Sequence, residues 1–572
     1  MLVGTKHGRK FMNIRFFAII LVVLLTASLV VGYSVYSIVS KFQLPQSALQ
    51  AEFDNLSSRM VGLQAQLNES QKNNNETQFE FVALQSQFST LQSQYNSLQT
   101  EYNTLDSHYS MLLAQHNTLQ SQYSSLQTSF SKFVADYQTL RTIEPYNYLV
   151  FSDGRGNYYA ENGATGVIDF SGTSGNQVGQ SCINTLSTTG GKIVFAGSIN
   201  LVEPLIIQNG ASSGRLEISG FGSSSQFIIS QNSDGIRILG NQAFGYGGPY
   251  HVTIKDLVLT STTSRVGRFI NNGIYIKNWF GVDIKDVMIF NANNSGILIE
   301  DSADVQLDNV YVEGCSGTEY GGSEPLTGTG IWLKGSKDCY FRNCYSDTNY
   351  YGFRIDATSE TGSFPKSVFL TQCEATLSQQ FGILISQADG IVLSDSLVEG
   401  SNQDGIVIVD SFRINVANTL VIGNVGNGIL ITSYRLNMTQ SEILINGCTI
   451  KSNNQNGIKI WAKYNMPITQ VSIQNCNIII SGTGARGNPN QANVWDGVFI
   501  SNDAITGGTC KYVTIANCFL GNIVGTTQTQ TYGIRSLQNS DYVQVFHNNF
   551  FQNLAGNYTL TGTHNSIGDN YG

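Results

Sequence analysis

The chain runs to 572 residues, more than one compact domain ordinarily holds, so several elements are expected. Only 12% of its residues are charged, about half the usual share, and Gly alone accounts for 58. The net charge of -9 gives no electrostatic footprint for nucleic acid, and it names no other partner.

Residues 1–15 read as a cytoplasmic tail with Lys6, Arg9, Lys10 and Arg15. Residues 16–39 form an almost uninterrupted apolar run, long enough to cross a bilayer as a helix. Only Lys41 follows closely, so the cationic flank keeps the N-terminus inside and sends everything after residue 40 out of the cell. The rival reading is a cleaved signal peptide, with Thr26, Ala27 and Ser28 as its small-residue cleavage site. The apolar run continues well past that site, which favours an uncleaved, single-pass anchor in the cell membrane.

Between Phe53 and Leu140 the spacing is seven. Phe81, Phe88, Tyr95, Tyr102, Tyr109, His116, Tyr123, Phe130 and Tyr137 share one heptad position, and Leu84, Leu91, Leu98, Leu105, Leu112, Leu119, Leu126, Phe133 and Leu140 lie three residues later. This is an a/d seam, of use only to helices that wind around one another. Residues 45–142 are therefore expected to form a long parallel coiled-coil stalk, a rod of about 130 Å at ~1.5 Å per residue. Gln predominates at the flanking positions, as at Gln85, Gln92, Gln87 and Gln94, so salt should affect the stalk little. Bulky aromatics at a fit a two-stranded seam poorly and favour a homotrimer. Asn74 at an a position fixes register or, within the run Asn73 to Asn75, marks a weak spot. Sequons at Asn55, Asn68, Asn75, Asn293, Asn437 and Asn557 permit N-glycosylation in an exported chain.

From about residue 145 one phrase recurs: DGIRI at 234, NGIYI at 272, SGILI at 295, TGIWL at 329, DGIVI at 404, NGILI at 427 and NGIKI at 456. A second phrase, VxIx(N/D)xxI, falls between the copies, as in HVTIKDLVL from His251 and QVSIQNCNI from Gln470. Repetition at this period marks a stacked architecture. Alternation places both Ile of Gly-Ile-x-Ile on one side and x on the other, with Gly expected to supply the turn into the strand. Asn or Asp in the second phrase, from Asp256 and Asp286 through Asn418 and Asn475 to His547, is expected to make a left-handed bend. Three short strands per turn then stack into an all-β parallel β-helix, a solenoid with an aliphatic core. Cys344, Cys373, Cys448, Cys476 and Cys518 occupy an inward column and are expected to be buried free thiols. No CxxC or paired His suggests a metal site, and no cofactor is expected.

These phrases, with the opening segment YYAENGATGVIDFSGTSGNQVGQSCINTLSTTGGKIVFAG and the following PLIIQNG and LEISGFG, resemble the right-handed parallel β-helix of the pectate lyase-like superfamily, in its rhamnogalacturonase and epimerase-like branch. The resemblance covers about residues 145–572. A turn that reads Pro/Ala-Gly-Thr-Tyr in that branch is Ala196-Gly-Ser-Ile199 here. The polygalacturonase set of Asn-Thr-Asp, an Asp pair, Gly-His-Gly and Arg-x-Lys is missing from this region, and the calcium-dependent pectate lyase pattern is not recognisable. The resemblance therefore implies a fold and carries over no named activity.

In proteins of this fold extended sugars lie along the strand face that corresponds to Gly-Ile-x-Ile. Reading the outward positions of this chain down the stack, the richest patch is Tyr275, Lys277, Glu300, Trp332, Lys334, Arg354 and Asp356. Glu300 and Asp356 should stand about 9–10 Å apart with Lys334 between them, near the separation of an inverting carboxylate pair. Lys334 or Arg354 could instead serve as the base of a β-eliminating lyase. Tyr275, Trp332, Arg354 and Lys277 would bind substrate, the aromatics offering flat faces to sugar rings. The bland alternative is a salt-bridge ladder between coils. Three functions remain open: a surface-anchored glycan-binding or adhesion protein, a polysaccharide-cleaving hydrolase or lyase, and an envelope component without ligand. Lack of every known catalytic signature favours the first.

Overall fold

The structure, a computed structural model, describes residues 50–63, 65, 78–143, 146–208, 214–229, 233–241, 251–261, 270–315, 328–358, 362–434, 440–479, 495–502, 508–522, 530–537 and 540–572. The chain divides into two compact units, Met1–Gln138 and Thr139–Gly572. The expected anchor, Asn68, Asn74, Asn75 and Asn437 lie outside the described residues. No helix among the described residues is long and apolar enough to cross a membrane.

In the first unit the heptad region is helical, with one helix at Gln78–Ile143 and another over residues 50–63. The two do not continue one another as a single rod. The rings of Phe53 and Tyr95 lie 4.7 Å apart, a contact impossible for residues 42 positions apart on one straight helix, which would place them about 63 Å apart. The shorter helix thus runs beside the longer one, and Leu91 is buried next to this contact. An a/d seam accepts any apolar helix of matching pattern, so the short helix competes for the surface that a second chain was expected to fill. Further along, Leu119, Tyr123 and Leu126 are exposed. Asn55 of the first sequon is exposed on the short helix.

In the second unit residues 148–186 form a cap. The strands Tyr148–Ser152, Tyr158–Asn162 and Ile168–Gly172 pair antiparallel, and the helix Gly175–Leu186 packs Val178, Cys182, Ile183 and Leu186 into the core. All later strand pairs among the described residues are parallel, and the register shifts once in the pairing of Ile270–Lys277 with Ala292–Glu300, between Ile270 and Asn272. Among the described residues, thirteen strands carrying the Gly-Ile-x-Ile phrase or its equivalent form one sheet, from Leu205–Gln208 to Gly556–Leu560. The second and third strands of the coils form the other sheet. One coil reads Ile406–Val409, Phe412–Ala417 and Leu420–Ile422. Its inward Ile406, Ile408, Ile414, Val416 and Val421 are fully or almost fully buried, and each such aliphatic side chain contributes about 1.5–3 kcal/mol.

The bends fall where the second phrase puts them. Asp256, Asp286, Asn309, Asn343, Gln372, Asp395, Asn418, Asn475, Asn517 and His547 all have φ between 50° and 57°. Asn and Asp tolerate this region because their short polar side chains bond locally, and here they also bond from coil to coil: Asn475 Nδ2 donates to Asn446 Oδ1 at 2.7 Å and Asn418 Nδ2 to Asp395 Oδ1 at 3.2 Å. All nine cysteines are buried free thiols.

The phrase glycines do something other than expected. Gly352, Gly382 and Gly428 are not in the left-handed region. A Cβ on Gly352 would lie 2.3 Å from the carbonyl oxygen of Gly382, and one on Gly382 would lie 2.8 Å from that of Gly405. Stacking brings each coil's backbone onto the next at this point, so the residue there can have no side chain. The turn explanation is replaced by close approach.

One edge of the 13-stranded sheet is its first strand, Leu205–Gln208, and the cap helix bonds to it. Gln180 on the cap helix accepts from Ile206 N at 2.7 Å through Oε1 and donates to Ile206 O at 2.8 Å through Nε2. Its amide takes the place of a neighbouring strand, blocking edge-to-edge association.

Candidate functional site on the Gly-Ile-x-Ile face

The ladder register places the x residues in one column: Arg237, Tyr275, Leu298, Trp332, Arg354, Leu384, Val407, Leu430, Lys459, Phe499 and Arg535. Two residues later Lys277, Glu300, Lys334 and Asp356 stand in register, so the carboxylates are two coils apart with Lys334 between them. All seven residues singled out in the sequence belong to this one patch.

Their contacts form two clusters, joined where Lys334 Nζ lies 5.0 Å from the Trp332 centroid. Tyr275 Oη donates to Glu300 Oε2 at 2.7 Å, while the ammonium groups of Lys277 and Lys334 reach the same carboxylate at 3.5 and 3.3 Å. Burial acts to raise the Glu300 pKa, but the Tyr275 hydroxyl and the charges of Lys334 and Lys277 outweigh it and hold the carboxyl below the usual carboxylate range. Such a group stays ionised at neutral pH and cannot protonate a leaving group. Asp356 accepts from Trp332 Nε1 at 2.7 Å and from Arg354 Nε at 2.8 Å. The Arg354 guanidinium lies 4.2 Å from the centroid of the Trp332 ring, covering one of the faces expected to receive a sugar. Of the loop expected to wall this patch, Glu319, Tyr320 and Glu324 lie outside the described residues. Asn293, in the strand Ala292–Glu300, and Asn557 are half-buried, and Asn557 Nδ2 donates to Gly572 O at 2.8 Å.

Beyond the ladder the same face turns apolar. Val407, Val409 and Leu430 point outward yet are buried, packed with Phe381, Leu384 and Trp461. At the end of this floor two cations converge on one ring: Lys463 Nζ lies 3.3 Å and Lys459 Nζ 4.2 Å from the Trp461 centroid. Lys463 also donates to Tyr434 Oη at 2.9 Å and is 7% exposed. Burial, opposed by Asp404 and reinforced by Lys463, pushes the Lys459 pKa below the ordinary lysine value. No carboxylate lies within ion-pair distance of Lys459 among the described residues. Lys459 and Trp461 were readable as outward residues, but periodicity does not disclose that Lys463, beyond the strand, folds back over the same ring.

Under this face the residues preceding the glycines form a buried polar chain. Asp404 Oδ1 accepts from Asn427 N and Nδ2 at 2.6 and 2.7 Å, Asn427 Oδ1 from Asn456 Nδ2 at 2.8 Å, and Asn456 Oδ1 from Asp496 N at 3.0 Å. Asp496 closes it, accepting from Arg535 Nε at 2.6 Å. Burial, only partly offset by Arg535, pushes the Asp496 carboxyl up to about 6. Because this folded value exceeds the unfolded one, Asp496 stabilises the fold fully below pH ~4, and that contribution of up to about 3 kcal/mol is lost as pH rises through ~6. Asp496→Asn removes the titration, so the stability of the wild type relative to this variant should fall between pH 4 and 7 in denaturant titrations; a constant difference would refute the assignment.

Residues 272–478 match the family described as the right handed beta helix region. Among solved structures, the chain is similar to the A-module of the Azotobacter vinelandii mannuronan C-5 epimerase AlgE4, at 14% identity over 68% of this chain and 94% of that one, with a TM-score of 0.46. The periplasmic alginate epimerase AlgG is similar at 10% identity over 66% and 78%, TM-score 0.42, and the Dettilon tailspike protein at 14% over 68% and 64%, TM-score 0.44. No curated protein sequence matches. These likenesses concern fold and leave the chemistry of the face to its own residues.

Proposed function

We propose that this right-handed parallel β-helix of the pectate lyase-like superfamily is the binding head of a stalked cell-surface protein, and that it takes an extended acidic polysaccharide along the outward face of its Gly-Ile-x-Ile sheet. The observation that carries this reading is the seating of Lys459 and Lys463 on Trp461 at the end of an apolar floor. The charge of Lys463 bears unfavourably on the half-buried Lys459 ammonium, and a ligand carboxylate beside Lys459 relieves that repulsion. The floor of Leu384, Val407 and Leu430 gives the apolar faces of the sugar rings a dry surface. In the same proposal residues 16–39 anchor the chain with its C-terminal region extracellular, and the heptad seam joins copies, three being favoured, by covering Leu119, Tyr123 and Leu126.

Cleavage of the polysaccharide at Glu300, Lys334 and Asp356 is the competing reading, supported by two carboxylates two coils apart with a cation between them. One experiment separates the two. The soluble protein from residue 45 is tested for retention on acidic and neutral polysaccharides while new reducing ends and unsaturated uronate absorbance are followed. Retention on an acidic polymer without new ends is expected. It should weaken about 10–100-fold in Lys459→Gln, the loss of one charge-assisted contact, and weaken steeply with salt. Glu300→Gln and Asp356→Asn should leave retention unchanged. New ends that vanish in those two variants would establish cleavage, and retention indifferent to Lys459→Gln would overturn the binding site.

A further inference from the structure

We infer that the groove between the cap helix and the first sheet strand is a second ligand site, built for an uncharged, hydroxyl-rich ring such as a neutral pyranose. It is an open groove of about 580 Å³, and it lies nine strands along the sheet from Lys459. It is lined by amides and hydroxyls from Gly175–Leu186, by the apolar Ile183, Pro204 and Ile206, and by Glu203. No Lys, Arg or His lines it. An apolar lining beside amide and carboxylate groups suits a ring with one hydrophobic face and a hydroxylated edge. The single charge is a carboxylate, which repels an acidic sugar, so this site and the sheet face would select opposite ligands.

Two further observations point to recognition rather than to an incidental hollow. Part of the lining is fixed in advance: Gln180 is clamped to both backbone groups of Ile206 and also donates to Asn184 Oδ1 at 2.9 Å, which sets the orientation of the Asn184 amide. Yet Asn184 Nδ2, the Gln177 amide and the Glu203 carboxylate make no hydrogen bond to the protein among the described residues. Asn184 is thus presented in a fixed orientation with its Nδ2 uncommitted, and preorganisation of this kind lowers the ordering cost of binding.

The test uses the full chain in a detergent without a sugar headgroup, with maltose, cellobiose and lactose as probes and digalacturonate as the acidic comparator, read by saturation-transfer NMR. At least one neutral disaccharide is expected to bind at a concentration of about 10 mM or below, the range of weak single-site sugar binding. Asn184→Ala and Glu203→Ala, both at exposed positions, should each weaken it several-fold without changing the circular dichroism, and Lys459→Gln should not affect it. Absence of binding by all three sugars overturns the inference. So does binding that both cap variants leave intact. Loss in Lys459→Gln would place the neutral sugar on the sheet face instead. Because the acidic-ligand reading is scored by digalacturonate and Lys459→Gln, either proposal can fail while the other stands.

Discussion

Gly428→Ala is expected to destabilise the β-helix by about 3 kcal/mol or more, while Gly423→Ala, five residues earlier, should cost about 1 kcal/mol. The two glycines differ in what they are for. At Gly428 the backbone is ordinary, but a Cβ would sit 2.5 Å from Ile450 Cγ2, 2.6 Å from the carbonyl oxygen of Gly457 and 2.8 Å from Asn453 Nδ2. Ile450 belongs to the core of the same coil and Gly457 to the ladder of the next, and neither can move without opening the stack. At Gly423 the reverse holds: φ is +68° and nothing lies within 4 Å, so alanine meets only its own left-handed strain. Urea unfolding followed by circular dichroism measures both. Equal costs at the two sites would show that conformation, not coil spacing, selects the glycine of the repeat.

That contrast also marks what the sequence discloses. Alternation in Gly-Ile-x-Ile is a local property, and it placed Ile406 and Ile408 inward and the column from Arg237 to Arg535 outward in correct register. The bend residues were legible for the same reason, since Asn418 or Asp395 states its own backbone preference. The role of Gly428 was not, because its constraint comes from Gly457, a coil away, and a turn glycine and a contact glycine are written with the same letter. The heptad seam was equally legible, but its partner was not: Phe53 packing on Tyr95 satisfies the same pattern as a second chain. At the candidate site, residue types showed where charges gather. Only geometry showed that Glu300 is held by Tyr275, Lys277 and Lys334, while Lys463 reaches over Trp461 from outside its strand.

Asn427→Asp should be more damaging than Asn427→Ala at pH 8 and less damaging at pH 5. Alanine deletes a donor to the buried Asp404 carboxylate and the acceptor of Asn456, a loss of about 3 kcal/mol for one charged and one neutral buried partner. Aspartate restores the acceptor for Asn456 but sets a carboxylate oxygen where Asn427 Nδ2 now stands, 2.7 Å from Asp404 Oδ1. Two carboxylates at that distance must share a proton, so the folded pair titrates above the unfolded groups and stability falls as pH rises through its apparent pKa. Burial already pushes Asp404 upward, and its charge acts on Lys459 above it. The chain of Asp404, Asn427, Asn456 and Asp496 therefore joins the two properties of this face, since it closes the buried polar groups between coils and fixes the carboxylate that partly balances Lys459. If Asn427→Asp and Asn427→Ala lose the same stability at both pH values, the chain does not carry that charge, and Lys459 would have to be balanced from solvent alone.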